Sequence, residues 1–126
     1  MKRDIETRAD LENLLSEFYD IATQDEEIGH HFAELDLKTH LPIIVNFWEK
    51  VLFGKAAYFG NPLAVHKTLH EKFALKFEHF QRWVEIFHRT VDKLFAGEMA
   101  DAAKLRAKMI AHSLNQNLNR QSEISA

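Results

Sequence analysis

The stretch from Thr39 to Phe53 carries apolar residues on two adjacent faces of one helix, and this pattern constrains the fold more than any other in the chain. His40, Ile44, Phe47 and Val51 line one face, and Leu41, Val45, Trp48 and Leu52 line the next. A surface helix needs a single apolar stripe, so two stripes call for cover on two sides. Asp36 and Thr39 are candidate caps, Pro42 is expected in the first turn where its missing N–H costs little, and Gly54 is the stop signal.

The flanking segments read as further helices. Leu11, Leu14, Leu15, Phe18, Tyr19 and Ile21 recur at helical spacing and predict a helix from Thr7 or Asp10 to about Thr23. Residues 28–32, with His30 and His31 adjacent, read as a turn or short helix whose two imidazoles diverge. Asn61-Pro62 is a helix start, with Asn as the cap and Pro at the first helical position. It opens a short polar helix to about Lys72 that carries His66 and His70. A long helix from about Lys76 to Phe95 is expected to turn Phe80, Trp83, Val84, Phe87, Val91 and Leu94 inward. Gly97 separates it from a last helix, 98–118, with Leu105, Met109 and His112 or Ile110 toward the interior. The tail, 119–126, is expected to fray. With no segment of strand period, the reading is an all-α single domain, 1–126, of five or six helices around one core.

Composition narrows the chemistry. The chain has 126 residues, 4 Gly, 2 Pro and no Cys, which favours helices and removes disulfides, thiolate ligands and cysteine nucleophiles. Lys and Arg are scattered along a chain of formal net charge −3, giving no basic stripe for nucleic acid. No run reaches the ~18 apolar residues of a membrane span, and the polar start Met1 to Glu6 is unlike a signal peptide, so the expectation is a soluble, cytoplasmic protein without a membrane partner. Glycine is too sparse for a phosphate-cradling loop, and no Ser/His/Asp or paired-carboxylate focus stands out.

The 10 Phe and 8 His in so short a chain are the compositional anomaly. An aromatic helical core with spare imidazoles suits a buried planar cofactor, although the same Phe residues fit an ordinary core. His66 and His70 sit at i, i+4, a spacing that lets both rings reach one metal ion or simply lie on a solvated face. No Asp or Glu at suitable spacing completes that pair, and the long helices lack the paired Glu-x-x-His motifs, one on each of two helices, of di-iron bundles. His40 points where an apolar face points.

Taken in order, several motifs resemble the truncated haemoglobins, and within them the third group, over about residues 11–115. They are Phe18-Tyr19, His40 followed seven residues later by Phe47-Trp48, the run Tyr58-Phe59-Gly60-Asn61-Pro62, His70 thirteen residues before Trp83, His79-Phe80-Gln81-Arg82-Trp83-Val84, and Val91-Asp92-Lys93-Leu94-Phe95. The glycine pairs of the first two groups are missing. The resemblance implies a two-over-two helical sandwich that holds haem b, iron protoporphyrin, and binds dioxygen, nitric oxide or carbon monoxide, with oxygen transport, nitric oxide chemistry or peroxide chemistry as its uses. Whether the chain is an enzyme stays open, and a reductase is the implied partner.

Carried over by residue, the resemblance makes His70 the axial metal ligand, with His66 its competitor one turn earlier. The second ring nitrogen of His70 is then expected to donate to a carbonyl or water. Tyr19, His40 and Trp83 become donors on the ligand side, with Ile44 crowding the ligand. His40 could also swing onto the iron itself. Phe32, Phe47 and Phe73 become macrocycle contacts, and Lys72 (or Lys67) a partner for a propionate. Two other readings remain: a metal-binding or sensor module using His66 and His70 without porphyrin, and a helical interaction domain with incidental histidines.

Overall fold

Helix α1 (Arg8–Ala22) starts where it does because Thr7 and Asp10 cap each other. The Asp10 N–H reaches the Thr7 hydroxyl at 3.3 Å, and the Thr7 N–H reaches the Asp10 carboxylate at 3.0 Å. Both residues read as alternative starts are thus parts of one capping box. In this computed structural model, which describes residues 2–55 and 60–125 and all their side chains except those of Lys72 and 120–125, the chain continues through a 3-10 turn, η1 (Gly29–Phe32). Then come α2 (Leu37–Phe53), α3 (Pro62–Lys72), α4 (Phe77–Leu94) and α5 (Glu98–Ser125). No strand occurs among the described residues.

The signals at Gly54 and at Asn61-Pro62 act as the sequence suggests. Gly54 takes the left-handed conformation with φ 70° and returns its N–H to Lys50 at 3.2 Å, closing α2. Asn61 accepts the Ala64 N–H at 3.2 Å, with Pro62 at the first position of α3. Pro42 departs from expectation. Since α2 begins at Leu37, Pro42 lies past the first turn, where an N–H would otherwise have met the Lys38 carbonyl. Asp36 precedes α2 without capping its backbone, and its carboxylate takes the Thr39 hydroxyl at 2.8 Å instead.

The helices pair as two layers: α1 packs on α2 and α4, while α5 packs on α4, α3 and α2. Between the layers Phe87, fully buried, is stacked between two indoles, Trp48 at 4.9 Å and Trp83 at 5.5 Å, with Phe18 edge-on at 5.7 Å. On α4, Phe80, Phe87 and Val91 are buried as read from the sequence, Trp83, Val84 and Leu94 are half-buried, and Ile86 and Thr90 join the core unanticipated.

Of the residues expected on the inward face of α5, Ile110 alone packs on the core, half-buried. Leu105 and Met109 are 59% and 51% exposed and His112 is exposed, whereas Ala100, Ala103, Ala107, Ala111, Leu114 and Leu118 face the core. Small side chains bring α5 close to its neighbours, so the buried stripe is mostly alanine and the bulky apolar residues lie opposite. The helix also runs on to Ser125 instead of ending near Leu118; Asn119, within the expected tail, donates its side-chain amide to the Leu75 carbonyl at 3.0 Å.

The amino-terminal residues are structural. Ile5 is buried in the core, the Arg3 carbonyl accepts the Ala96 N–H at 3.1 Å, and the Asp4 carboxylate accepts the N–H groups of Met99 and Ala100 at 2.9 and 2.8 Å. Asp4 therefore caps α5 from the far end of the chain. Gly97, with φ 142°, lets the carboxylate approach: a Cβ there would lie 2.4 Å from the Asp4 carboxyl carbon.

Burial pushes the Asp4 and Asp10 carboxyls up, but their backbone N–H donors, and Arg3 at Asp10, outweigh it and hold both below the usual range. Asp25 is held below it chiefly by Arg82. A depressed folded-state pKa stabilises the fold above the unfolded value and is lost as pH falls through the folded one. Stability in acid titrations is therefore expected to be flat above about pH 5 and to decline steadily below about pH 4. Asp10→Asn should flatten that decline, and an unchanged acid limb would refute the assignment.

Candidate functional site

The core is interrupted. Its larger cluster joins α1, α2, α4 and the start of α5, while a smaller one holds Leu75, Phe80, Ala111, Leu114 and Leu118. Trp83 and Ile110 pack against both clusters, yet each is only half-buried. Helices α2 and α3 both rest on α5 and make almost no contact with one another. On α2 the face of Ile44, Phe47 and Val51 is half-buried and His40 exposed, whereas Val45 and Trp48 on the adjacent face are buried and Leu41 and Leu52 half-buried. An apolar face left half-covered beside a break in the core suits a flat apolar group better than it suits a finished protein interior.

Tyr19 and Trp83 are brought together through Phe18, whose ring lies 5.0 Å from Tyr19 and 5.9 Å from Trp83. Tyr19 is buried, its ring edge-on to Phe32 at 5.5 Å, and burial pushes its phenol far above the usual range, so it is held as an O–H donor. Stacking on Phe87 fixes the indole of Trp83. His40 stands apart: its ring is exposed and touches neither aromatic among the described contacts. Its neighbour Leu41 does line, with Tyr19, Ser16, Asp20, Leu37 and Lys38, a cleft of about 200 Å3. A second, of about 210 Å3, lies beside Leu41, Pro42 and Val45. Both belong to α1 and α2 alone and are smaller than the roughly 300–1,000 Å3 of ordinary cofactor sites.

On α3, Pro62, His66, Leu69, His70 and Phe73 form the half-buried side. The two imidazoles are bonded differently. His66 donates from Nδ1 to the Pro62 carbonyl at 2.7 Å, leaving a lone pair on Nε2, and burial lowers its pKa. His70 accepts the Leu75 N–H on Nδ1 at 2.9 Å, so its neutral ring carries the proton on Nε2. The donation to a carbonyl expected of His70 is thus made by His66 instead, because the chain turns at Phe73 and aims the Leu75 N–H at His70. A neutral imidazole cannot accept on one nitrogen and ligate with the other, so ligation by His70 requires that this bond be given up.

The remaining expectations divide. Phe32 and Phe47 are half-buried beside Tyr19 and Trp48, where a macrocycle contact is sterically reasonable. Phe73 lies edge-on to His30 at 6.1 Å and His31 at 6.4 Å. The Lys72 side chain and the Tyr58-Phe59 part of the motif lie outside the described residues. His66 and His70 belong to no group of three or more metal-binding side chains among the described residues; His30, His31 and His79 do. The divergence expected of His30 and His31 is overturned, their ring centroids being 4.0 Å apart. Sequence spacing gave no sign of His79 joining them, nor of the ion pair between Arg82 and Asp25, bonded at 2.8 and 2.9 Å across 57 positions. No helix among the described residues is long and apolar enough to cross a membrane.

The family model described as bacterial-like globin matches residues 4–117. The chain is 29% identical over 117 residues to the group 3 truncated haemoglobin ctb of Campylobacter jejuni, covering 88% of this chain and 90% of that protein. A crystal structure of the group III truncated haemoglobin from Campylobacter jejuni superimposes with a TM-score of 0.82 at 27% identity, covering 94% of this chain and 95% of that one.

Proposed function

The chain belongs to the bacterial-like globin family, similar within it to the group III truncated haemoglobins, and on that premise we propose that it holds one haem b between α2 and α3 and binds small diatomic ligands there. The observation that carries this reading is the break in the core, spanned by the half-buried Trp83 and Ile110 and flanked by imidazoles on α3. Covering those apolar faces favours binding: at about 25 cal/mol per Å2, a porphyrin's apolar surface supplies on the order of 10 kcal/mol.

His70 is the proposed axial ligand, from its register with Trp83. The bonding of His66, whose Nε2 already offers a lone pair, supports it as the second candidate. When bound, haem would supply an iron that takes a small diatomic ligand and polarises it. The chain's own part is to donate to that ligand from the phenol of Tyr19, held by Phe18 and Phe32, and the indole of Trp83, held by Phe18 and Phe87, and to keep water away with Ile44. His40, on its exposed turn of α2, is free to swing toward the same ligand or toward the metal. Dioxygen, the more polarised ligand, gains more from these donors than carbon monoxide does. Reduction by a partner reductase and turnover of nitric oxide or peroxide are further uses of such a site.

Titration of the purified chain with haemin tests the assignment: one equivalent should produce a sharp Soret band, and a broad band that grows without saturating would refute it. In the ferrous form, Tyr19→Phe removes one donor worth roughly 1–3 kcal/mol in a dry pocket, so dioxygen dissociation should quicken about 5- to 150-fold. Stopped-flow displacement by carbon monoxide measures this rate. An unchanged rate would remove Tyr19 from the ligand-binding set.

A further inference from the structure

We propose that His30, His31 and His79 form a site for one divalent transition-metal ion of the zinc, nickel or copper class, separate from the imidazoles of α3. One ring nitrogen from each of the three lies within 4.8 Å of the other two. The ring centroids of His31 are 4.0 Å from His30 and 4.7 Å from His79, with His30 and His79 5.7 Å apart. Consecutive residues of η1 thus supply two ligands, and the first turn of α4 supplies the third. The elements are held in place: Arg82, three positions beyond His79, is paired with Asp25, and Asp25 in turn accepts the N–H groups of Glu27 and Ile28 at 3.0 and 3.1 Å just before η1.

His31 gives the independent observation. Its side chain is 6% exposed, and Nε2 donates to the Ala74 carbonyl at 3.2 Å, which places the lone pair on Nδ1. That Nδ1 is the one buried side-chain polar atom without a hydrogen-bond partner among the described residues. Buried acceptors are almost always satisfied, so an orphan asks for an occupant. One ring nitrogen anchored on a backbone carbonyl while the other presents its lone pair is the arrangement of a metal-bound histidine. Burial, with His30 and His79 alongside, lowers the pKa of His31, against the backbone carbonyls of Ala74 and Ile28, which raise it.

Zinc–nitrogen bonds of about 2.0–2.1 Å in a tetrahedral set need nitrogens roughly 3.3 Å apart, so the rings must draw together around the ion. His79 now accepts the Lys76 N–H on Nδ1 at 3.0 Å. Ligating through Nε2 moves its proton to Nδ1 and releases the N–H of Lys76, an exposed residue, to water. Three imidazoles leave a fourth position for water on the exposed side of His30, a composition that imidazole-preferring ions accept and that hard oxygen-seeking ions such as magnesium and calcium do not.

The test is calorimetric titration of the full chain with zinc chloride, beside His30→Ala and a His66→Ala/His70→Ala double variant. The expected result is one zinc per chain, affinity lower by about 100-fold or more in His30→Ala, and affinity within about twofold in the α3 double variant. Absence of zinc binding, insensitivity to His30→Ala, or loss of binding confined to the α3 double variant would overturn the proposal. Ring-nitrogen NMR of the unmodified chain gives a second readout that needs no variant. Zinc should move the Nδ1 resonance of His31 and leave its Nε2 near the amide-bonded position, and an unmoved Nδ1 would overturn the site.

Discussion

His70→Ala is expected to lose haem more than about 100-fold faster than the unaltered chain, because a porphyrin without its axial bond is held by apolar contact alone. Transfer of haem to a large excess of apomyoglobin reads the rate directly. His66→Ala in the same assay separates the two imidazoles of α3. If His70 is the ligand, His66→Ala retains haem and keeps the Soret position. The opposite pattern would assign the iron to His66, whose Nδ1–H already lies on the Pro62 carbonyl, and would make the Leu75–His70 hydrogen bond a permanent part of the turn after α3. His70→Ala also leaves the Leu75 N–H without its acceptor. Thermal unfolding of the haem-free variants is therefore the control that keeps a folding defect from being read as lost ligation.

Phe87→Ala should be the most damaging core substitution. The ring is fully buried between Trp48 and Trp83, with Phe18 against its edge, so its removal empties the meeting point of α1, α2 and α4. Large-to-small changes at such sites cost about 3–5 kcal/mol, against a typical total of 5–15 for a domain. Urea titration followed by tryptophan fluorescence should show the midpoint fall by more than about 1 M at an m-value of roughly 1–3 kcal/mol/M. Trp83 should also lose its fixed orientation, so the near-ultraviolet dichroism of the folded variant should weaken. Full retention of stability would mean that the indoles close over the gap unaided. By contrast, Leu105→Ala on the exposed side of α5 should change stability by less than about 0.5 kcal/mol.

The helices were legible because their signals are local. Thr7 with Asp10, Asn61 with Pro62, and Gly54 each act through neighbours a few residues away, and the all-α reading and the globin resemblance follow from such patterns. Where the chain was misread, the deciding partner is distant. Alanine carries little weight in a hydrophobicity pattern, so Leu105 and Met109 attracted the inward assignment, although the closeness of α5 to α4 is what selects the buried stripe. His30 and His31 looked like a polar turn because their third companion, His79, arrives from another helix. The register of His70 with Trp83 was readable, but which nitrogen of each α3 imidazole is engaged depends on the turn at Phe73, which no spacing rule describes. Tyr19 and Trp83 were found as candidates through resemblance, and their connection through Phe18 is tertiary.

The carboxylate that meets the first free N–H groups of α5 comes from Asp4, 95 positions before Met99. A nascent chain therefore cannot complete its last helix from local material. Asp4 must remain uncommitted until the 95 positions to Met99 have followed, and closing so long a loop is slow relative to forming any one helix. Docking of these two segments is accordingly a late step in folding, and whatever hinders Asp4, whether a bulky neighbour or its removal, acts on the distant start of α5.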